Sequence, residues 1–164
     1  MPSQDNRATE LIAALHLVEH PEGGYYAEVY RSPSLVHPAD GRSSRSALTS
    51  IYFLLPAGVV SRWHRVRSDE VWHFYEGASL DLWTATPEGN GVEVRRLGPY
   101  GQGQRPTLIV PAACWQAARS TGAYTLVGCT VAPGFEFEDF SLAADEPDIA
   151  TALKKSGGSP AELL

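Results

Sequence analysis

Between positions 25 and 132 the chain is a succession of short apolar and β-branched segments, each closed by Gly, Pro, Asn or Ser. Segments 25–31, 47–55, 59–66, 71–75, 80–84, 92–97, 107–110, 115–118 and 124–132 read as strands on this pattern. No amphipathic stretch of 10–15 residues lies between them, so parallel strands joined by helical crossovers are excluded. What remains is an all-β sandwich or barrel. The aromatic content agrees: four Trp, seven Tyr and five Phe supply flat rings that pack on pleated surfaces, and fifteen Gly and twelve Pro supply the turns.

The two ends differ from this middle. Residues 1–8 are polar, and Leu11, Ile12 and Leu15 then recur at helical spacing after Thr9, a candidate N-cap. Pro21 and the Gly23-Gly24 pair end that region with a turn. In the tail, 143–164, Asp148 precedes an apolar stretch closed by Lys154-Lys155, and Ser159-Pro160 begins a second helical signal. The chain of 164 residues suits one domain, 1–164, with a barrel core at about 22–142 and a short helical tail. The turn-rich segment 33–46 is long for a loop and is the expected lid.

The net charge of −6 argues against nucleic acid, whose binding needs a positive field. Cys114 and Cys129 each sit in an apolar segment, as free thiols rather than a disulfide framework. The N-terminal MPSQDNRATE lacks a basic-then-apolar signal pattern, and no apolar run is long enough to span a membrane. The expectation is a cytoplasmic protein with a small-molecule ligand and no membrane partner.

The chemistry concentrates in GVVSRWHRVRSDEVWHFYEG, residues 58–77. Alternate side chains on a strand share a face, so His64 groups with Arg62 and Val66, and Glu70 with Trp72 and Phe74. Pairing the two strands as a hairpin can set His64 beside Glu70 inside a barrel. Here the chain resembles the cupins, whose first motif is Gly, five residues, His-x-His, three or four residues, Glu, six residues, Gly. Gly58, His64, Glu70 and Gly77 fall in register, with Val66 at the second His. The second motif, Pro-x-Gly-x-x-His, is met by Pro111, with Ala113 for Gly and Gln116 for His.

A closer resemblance covers nearly the whole chain. HPEGGYYAEVYRS (20–32), SRWHRVRSDEVWHFYEG (61–77), PAACWQAA (111–118) and VGCTVAPGFEFEDF (127–140) are similar, in that order, to the DUF985 branch of the cupins. The resemblance implies a double-stranded β-helix, or jelly-roll barrel, a homodimer, and a pocket floored by His64, Glu70 and Gln116. It implies no reaction, because fold alone does not set function.

If the pocket held a metal, its ligands would be His64, Glu70 and Gln116, and Zn²⁺, Ni²⁺ or Fe²⁺ would be the candidates. An amide oxygen is a weak neutral donor and Val66 offers none, so a hydrogen-bonded triad without metal is favoured. In that case His64 is the general acid or base, Glu70 orients it and steadies the imidazolium, and Gln116 binds a substrate oxygen. Tyr52, Trp72 and Phe74 are stacking candidates or core. Arg62 shares the parity of His64 and is a candidate anion grip or a salt-bridge partner of Glu70 or Glu76. Glu28 is placed in the site by the resemblance, and with Arg31 faces either pocket or solvent. His73 falls on the outer face by parity. The alternation in 135–138 reads as an edge strand or a pocket rim. His16, His20 and His37 receive no role. Three functions stay open: a metal-independent epimerase or isomerase on a sugar-derived or other carbonyl compound, a metal-dependent dioxygenase or hydrolase, and a non-catalytic binding module.

Overall fold

The computed structural model describes residues 4–164. Helix α1 (Gln4–Ala14) leads into β1 (Val18–Glu19), β2 (Tyr25–Arg31), β3 (Leu35–Val36), β4 (Arg45–Ser46), β5 (Thr49–Pro56), β6 (Val60–Val66) and β7 (Asp69–Gly77). Then come β8 (Leu80–Ala85), β9 (Glu93–Leu97), β10 (Thr107–Val110), β11 (Trp115–Ser120), β12 (Tyr124–Ala132), β13 (Phe140–Leu142) and α2 (Pro147–Ser156). The strands form two antiparallel sheets, β1-β2-β5-β12-β7-β10 and β13-β6-β11-β8-β9, with β3 and β4 paired apart. This is the jelly-roll barrel the resemblance implied, and it falls within the all-β sandwich or barrel read from the strand pattern.

Strand alternation decides what is inside. On β5, Phe53 and Leu55 enter the core between the sheets, where they meet Trp72, Leu80, Leu82, Leu97 and Val127. Each fully buried leucine there contributes about 1.5–3 kcal/mol before chain entropy is set against it. The residue between them, Leu54, points outward and is covered by Leu11 and Leu17 at the α1 end of the chain. The other sheet is capped likewise: Trp63, Trp83 and Trp115 lie outside it under Ala143, Leu153 and Leu163. The barrel is thus apolar on both faces of both sheets where the terminal segments lie over it.

Three expectations at the edges are corrected. Helix α1 begins at Gln4, so Thr9 is interior rather than a cap. Pro147, not Asp148, opens α2, and the second tail signal is a single 3₁₀ turn, Ala161–Leu163. Segment 33–46, the expected lid, lines no part of the main cavity; it contains β3, β4 and two arginines that grip another segment. Among the described residues no helix is long and apolar enough to cross a membrane.

Two features of β6 position everything functional. Gln116 pairs with His64 and Ala118 with Ser61, so Arg62 and Trp63 together face Ala117, a β-bulge. The bulge shifts the alternation by one residue. Ser61, not Arg62, therefore lies on the inner side with His64. Against this strand packs the turn after β1, where Gly23 has φ +107° and stands so close that a Cβ would sit 2.0 Å from the Val60 carbonyl oxygen. Only glycine serves there.

Gly23→Ala should cost about 2–4 kcal/mol, the left-handed backbone penalty plus overlap with a neighbouring strand. Gly58→Ala, also at positive φ but with open space around it, should cost only about 1–2 kcal/mol. Urea unfolding of both checks this, and equal losses would refute the close-docking argument.

Candidate functional site

A cavity of about 320 Å³ opens at one end of the barrel between the two sheets. It is at the small end of the range for ligand pockets. Its floor carries His20, Glu22, His64 and Glu70, and its walls are largely aromatic.

The bulge places the first pair. The N–H of Arg62 donates to the Glu22 carbonyl at 2.8 Å, and the Arg62 carbonyl accepts from His64 Nδ1 at 2.7 Å. A carbonyl only accepts, so Nδ1 carries the proton and Nε2 of the neutral ring is an acceptor. That Nε2 lies 3.2 Å from Glu22 Oε2. On the other side of the same oxygen, at 3.4 Å, is Nδ1 of His20. His20 Nδ1 accepts the Glu22 backbone N–H at 3.2 Å, so it too is an acceptor. Glu22 Oε1 already takes the Ser61 hydroxyl at 2.7 Å. Oε2 thus stands between two nitrogen lone pairs, an arrangement that holds only if a proton lies on Oε2 or on His64 Nε2.

Burial says where the proton rests. Desolvation raises the Glu22 carboxyl above its ordinary value, and it lowers both His64 and His20 below theirs. Both shifts run toward the uncharged forms, a carboxylic acid beside a neutral imidazole.

Glu70 stands on β7 with its carboxylate held from behind. Gln116 Nε2 donates to Glu70 Oε2 at 2.5 Å, and Trp72 Nε1 donates to Gln116 Oε1 at 2.9 Å. Because an indole N–H can only donate, the amide is locked with its NH₂ toward Glu70. Burial, opposed by His64, pushes Glu70 up from 4.5 to about 7.

Several sequence-derived assignments change at this point. Gln116 is fully buried, does not line the cavity, and has its oxygen committed to Trp72, so it positions Glu70 rather than meeting a ligand. Arg62 is turned out by the bulge and donates to the Pro21 carbonyl at 2.7 Å. Tyr52 lies on the outer face, edge-on to Tyr75. Phe74 packs against the barrel core away from the cavity lining. Trp72 does line it, edge-on to Phe53, and Glu28 sits at the rim bound through both oxygens to Arg31. His73 is outside the lining, on the face that parity gives it.

His20 and Glu22 were not read from the sequence as site residues. The signal that points to them is the pair of glycines that follows: a turn forced tightly against a strand drives the preceding carboxyl inward. The rim is the segment after β12. Phe135 and Phe137 meet edge-on at 5.0 Å, and Phe140 lies stacked on His64 at 5.6 Å. The 3₁₀ turn Phe137–Asp139 between them is held because buried Asp139 takes Arg45 through both oxygens and Arg42 at 2.9 Å. This is the work of segment 33–46: it grips the flap instead of being one.

The donor set does not suit a transition metal. Val66 fills the place of a second imidazole, the Gln116 oxygen is taken, and His64 Nε2 is engaged with Glu22. Among the described residues no three His, Cys, Asp or Glu side chains gather as a metal site.

The chain belongs to the cupin superfamily, in the branch described as DUF985, whose family model matches residues 9–143. It is 36% identical to protein SO0799 of Shewanella oneidensis, over 91% of this chain and 94% of that one, with a TM-score of 0.78. It is 26% identical to the uncharacterized protein YML079W of Saccharomyces cerevisiae, over 91% of this chain and 81% of the other. Oxalate decarboxylase of Bacillus subtilis, 14% identical over 88% of this chain and 32% of its own, shares the fold with a TM-score of 0.57.

The raised Glu70 gives a test by pH. Between 4.5 and 7 the folded protein keeps a proton that the unfolded chain has lost, so this group's contribution falls as pH rises through that window. The lowered His20 and His64 act in the opposite sense, their contribution being lost as pH falls below about 6.5. Glu70→Gln removes the first effect, and by taking away the charge that raises His64 it lowers His64 further, which acts in the same direction. Its unfolding free energy relative to the wild type should therefore rise by about 1–3 kcal/mol from pH 5 to pH 8. A difference independent of pH in urea unfolding would show that Glu70 is not held protonated.

Proposed function

We propose that this cupin is a metal-independent isomerase or epimerase that moves a proton next to the carbonyl of a small, sugar-sized compound. The observation that carries the reading is the 3.2 Å approach of Glu22 Oε2 to His64 Nε2 on the cavity floor, with the Nδ1 side of the same ring turned to the Arg62 carbonyl. Such reactions need a base for the carbon-bound proton and an acid for the carbonyl oxygen at the same moment. The pair supplies both. The Glu22 hydroxyl proton goes to the carbonyl oxygen, His64 Nε2 takes the proton from the adjacent carbon, and the substrate becomes a neutral enediol. The pair passes from acid and imidazole to carboxylate and imidazolium, so charge is conserved and no co-reactant is consumed. Reversal, with the proton returned to the other face or the neighbouring carbon, gives the isomer.

The surroundings support this division of labour. The Arg62 carbonyl accepts the Nδ1 proton before and after the transfer, which steadies the imidazolium. Glu70, coupled to His64 and poised near 7, does the same through its charge. Gln116 and Trp72 keep its carboxylate in place.

The test is exchange of carbon-bound protons in D₂O, followed by proton NMR across a panel of aldoses, ketoses and small keto compounds. The wild type should exchange the position next to the carbonyl in its substrate. Both Glu22→Gln and His64→Ala should lower that rate at least about a hundredfold, with circular dichroism unchanged. An undiminished rate in His64→Ala would overturn the proposal.

A further inference from the structure

The charge around the cavity restricts what can occupy it. Glu28 and Glu136 stand at the mouth, Glu22 and Glu70 on the floor, and Arg31 is the single arginine or lysine among the described lining residues. Arg31 has little left to offer. Its Nε and Nη2 hold the two oxygens of Glu28 at 2.9 and 2.8 Å, Nη1 holds Glu136 at 2.7 Å, and Nη2 also reaches the Phe135 carbonyl at 3.1 Å. Four of its five N–H donors are engaged, three of them by carboxylates. On the floor, the Nδ1 proton of His64 is spent on Arg62.

Between mouth and floor the walls carry the rings of Tyr26, Phe53, Trp72, Phe135 and Phe137 among aliphatic side chains such as Ile51 and Val131. Aromatic faces carry the negative end of the ring quadrupole and attract cations rather than anions. A phosphate or carboxylate entering this space gives up its water, meets a cation already neutralised, and lies among carboxyl groups. Each change is unfavourable to a buried anion. A neutral carbonyl compound meets none of these obstacles, and an ammonium group meets attraction.

We infer that the cavity selects against anions, so that its substrate is an uncharged or amine-bearing carbonyl compound and not a phosphorylated or carboxylated one. The word substrate rests on the proton-transfer reading; the charge selection rests only on the lining.

Three probes of one shape and different charge test it: benzamide, benzylamine and benzoate. Each is titrated into the full chain labelled with ¹⁵N, and the backbone amides of Thr49, Ile51 and Val131, which line the cavity, are followed by NMR. Benzamide and benzylamine should shift these amides and saturate, and benzoate should need at least about tenfold higher concentration. In the double variant Glu28→Gln, Glu136→Gln the gap should close to about threefold or less. Benzoate binding as well as benzamide, or no probe moving these amides, overturns the inference. A wild-type gap that persists in a folded double variant overturns the part played by the rim. Failure of deuterium exchange with every neutral carbonyl compound would remove the proton-transfer reading and leave the ranking of the three probes standing, so the two can fail separately.

Discussion

The site depends on the docking of one turn against one bulge. A strand without irregularity would present Arg62 to the barrel interior and leave no backbone group free there. The bulge at Arg62 and Trp63 instead releases an N–H and a carbonyl at the same residue. One anchors the Glu22 main chain and the other sets the tautomer of His64. Gly23 is the condition for this contact, since any side chain would strike Val60. Glu22 and His64 are therefore located by main-chain hydrogen bonds from a single residue, which sets their 3.2 Å separation.

A buried carboxylic acid is costly unless its hydrogen bonds are complete. Here each polar atom has a neighbour: the Ser61 hydroxyl for Oε1, His64 Nε2 at 3.2 Å for Oε2, and the Arg62 carbonyl for His64 Nδ1. The second carboxyl solves the same problem differently, through an indole and an amide in series, Trp72 to Gln116 to Glu70. The amide suits the link because it carries an acceptor for the indole and a donor for the carboxylate, where an imidazole would do both only as one tautomer.

How much of this was legible in the chain follows from the range over which each signal acts. The strands were legible because period-two alternation and turn residues are local, and β2, β10 and β12 coincide with the segments read from sequence. His64, Glu70 and Trp72 lie within one sequence motif, but the expected hairpin is corrected: β6 and β7 belong to different sheets, and their side chains reach one cavity from opposite sides of the barrel. Arg62 was misplaced because parity assumes an unbroken pleat, and nothing local announces a bulge. Tyr52 and Phe74 failed for a related reason: aromatic side chains suit every face of a barrel, so residue type does not say which one. Glu22 and His20 were hidden by distance. They lie some forty positions before their partners, and only contact between the turn and β6 shows that they converge.

The same logic bears on what became of the ligand positions of the general cupin motif. Val66 in place of the second histidine and Gln116 in place of the last are not independent losses. With Val66 apolar, the space beside His64 is open to the Phe140 ring, which stacks on the imidazole. Burial, not the Gln116–Trp72 link, gives Glu70 its near-neutral affinity for protons; the Gln116 hydrogen bond works against it and holds the carboxyl in place. Glu22 then occupies the remaining face of His64. Reversing one substitution would not rebuild a metal site, because Val66→His would still leave Glu22 on Nε2 and the Gln116 oxygen engaged. The imidazole of the motif thus lies between the Glu70 carboxyl of the same motif and the Glu22 carboxyl from outside it.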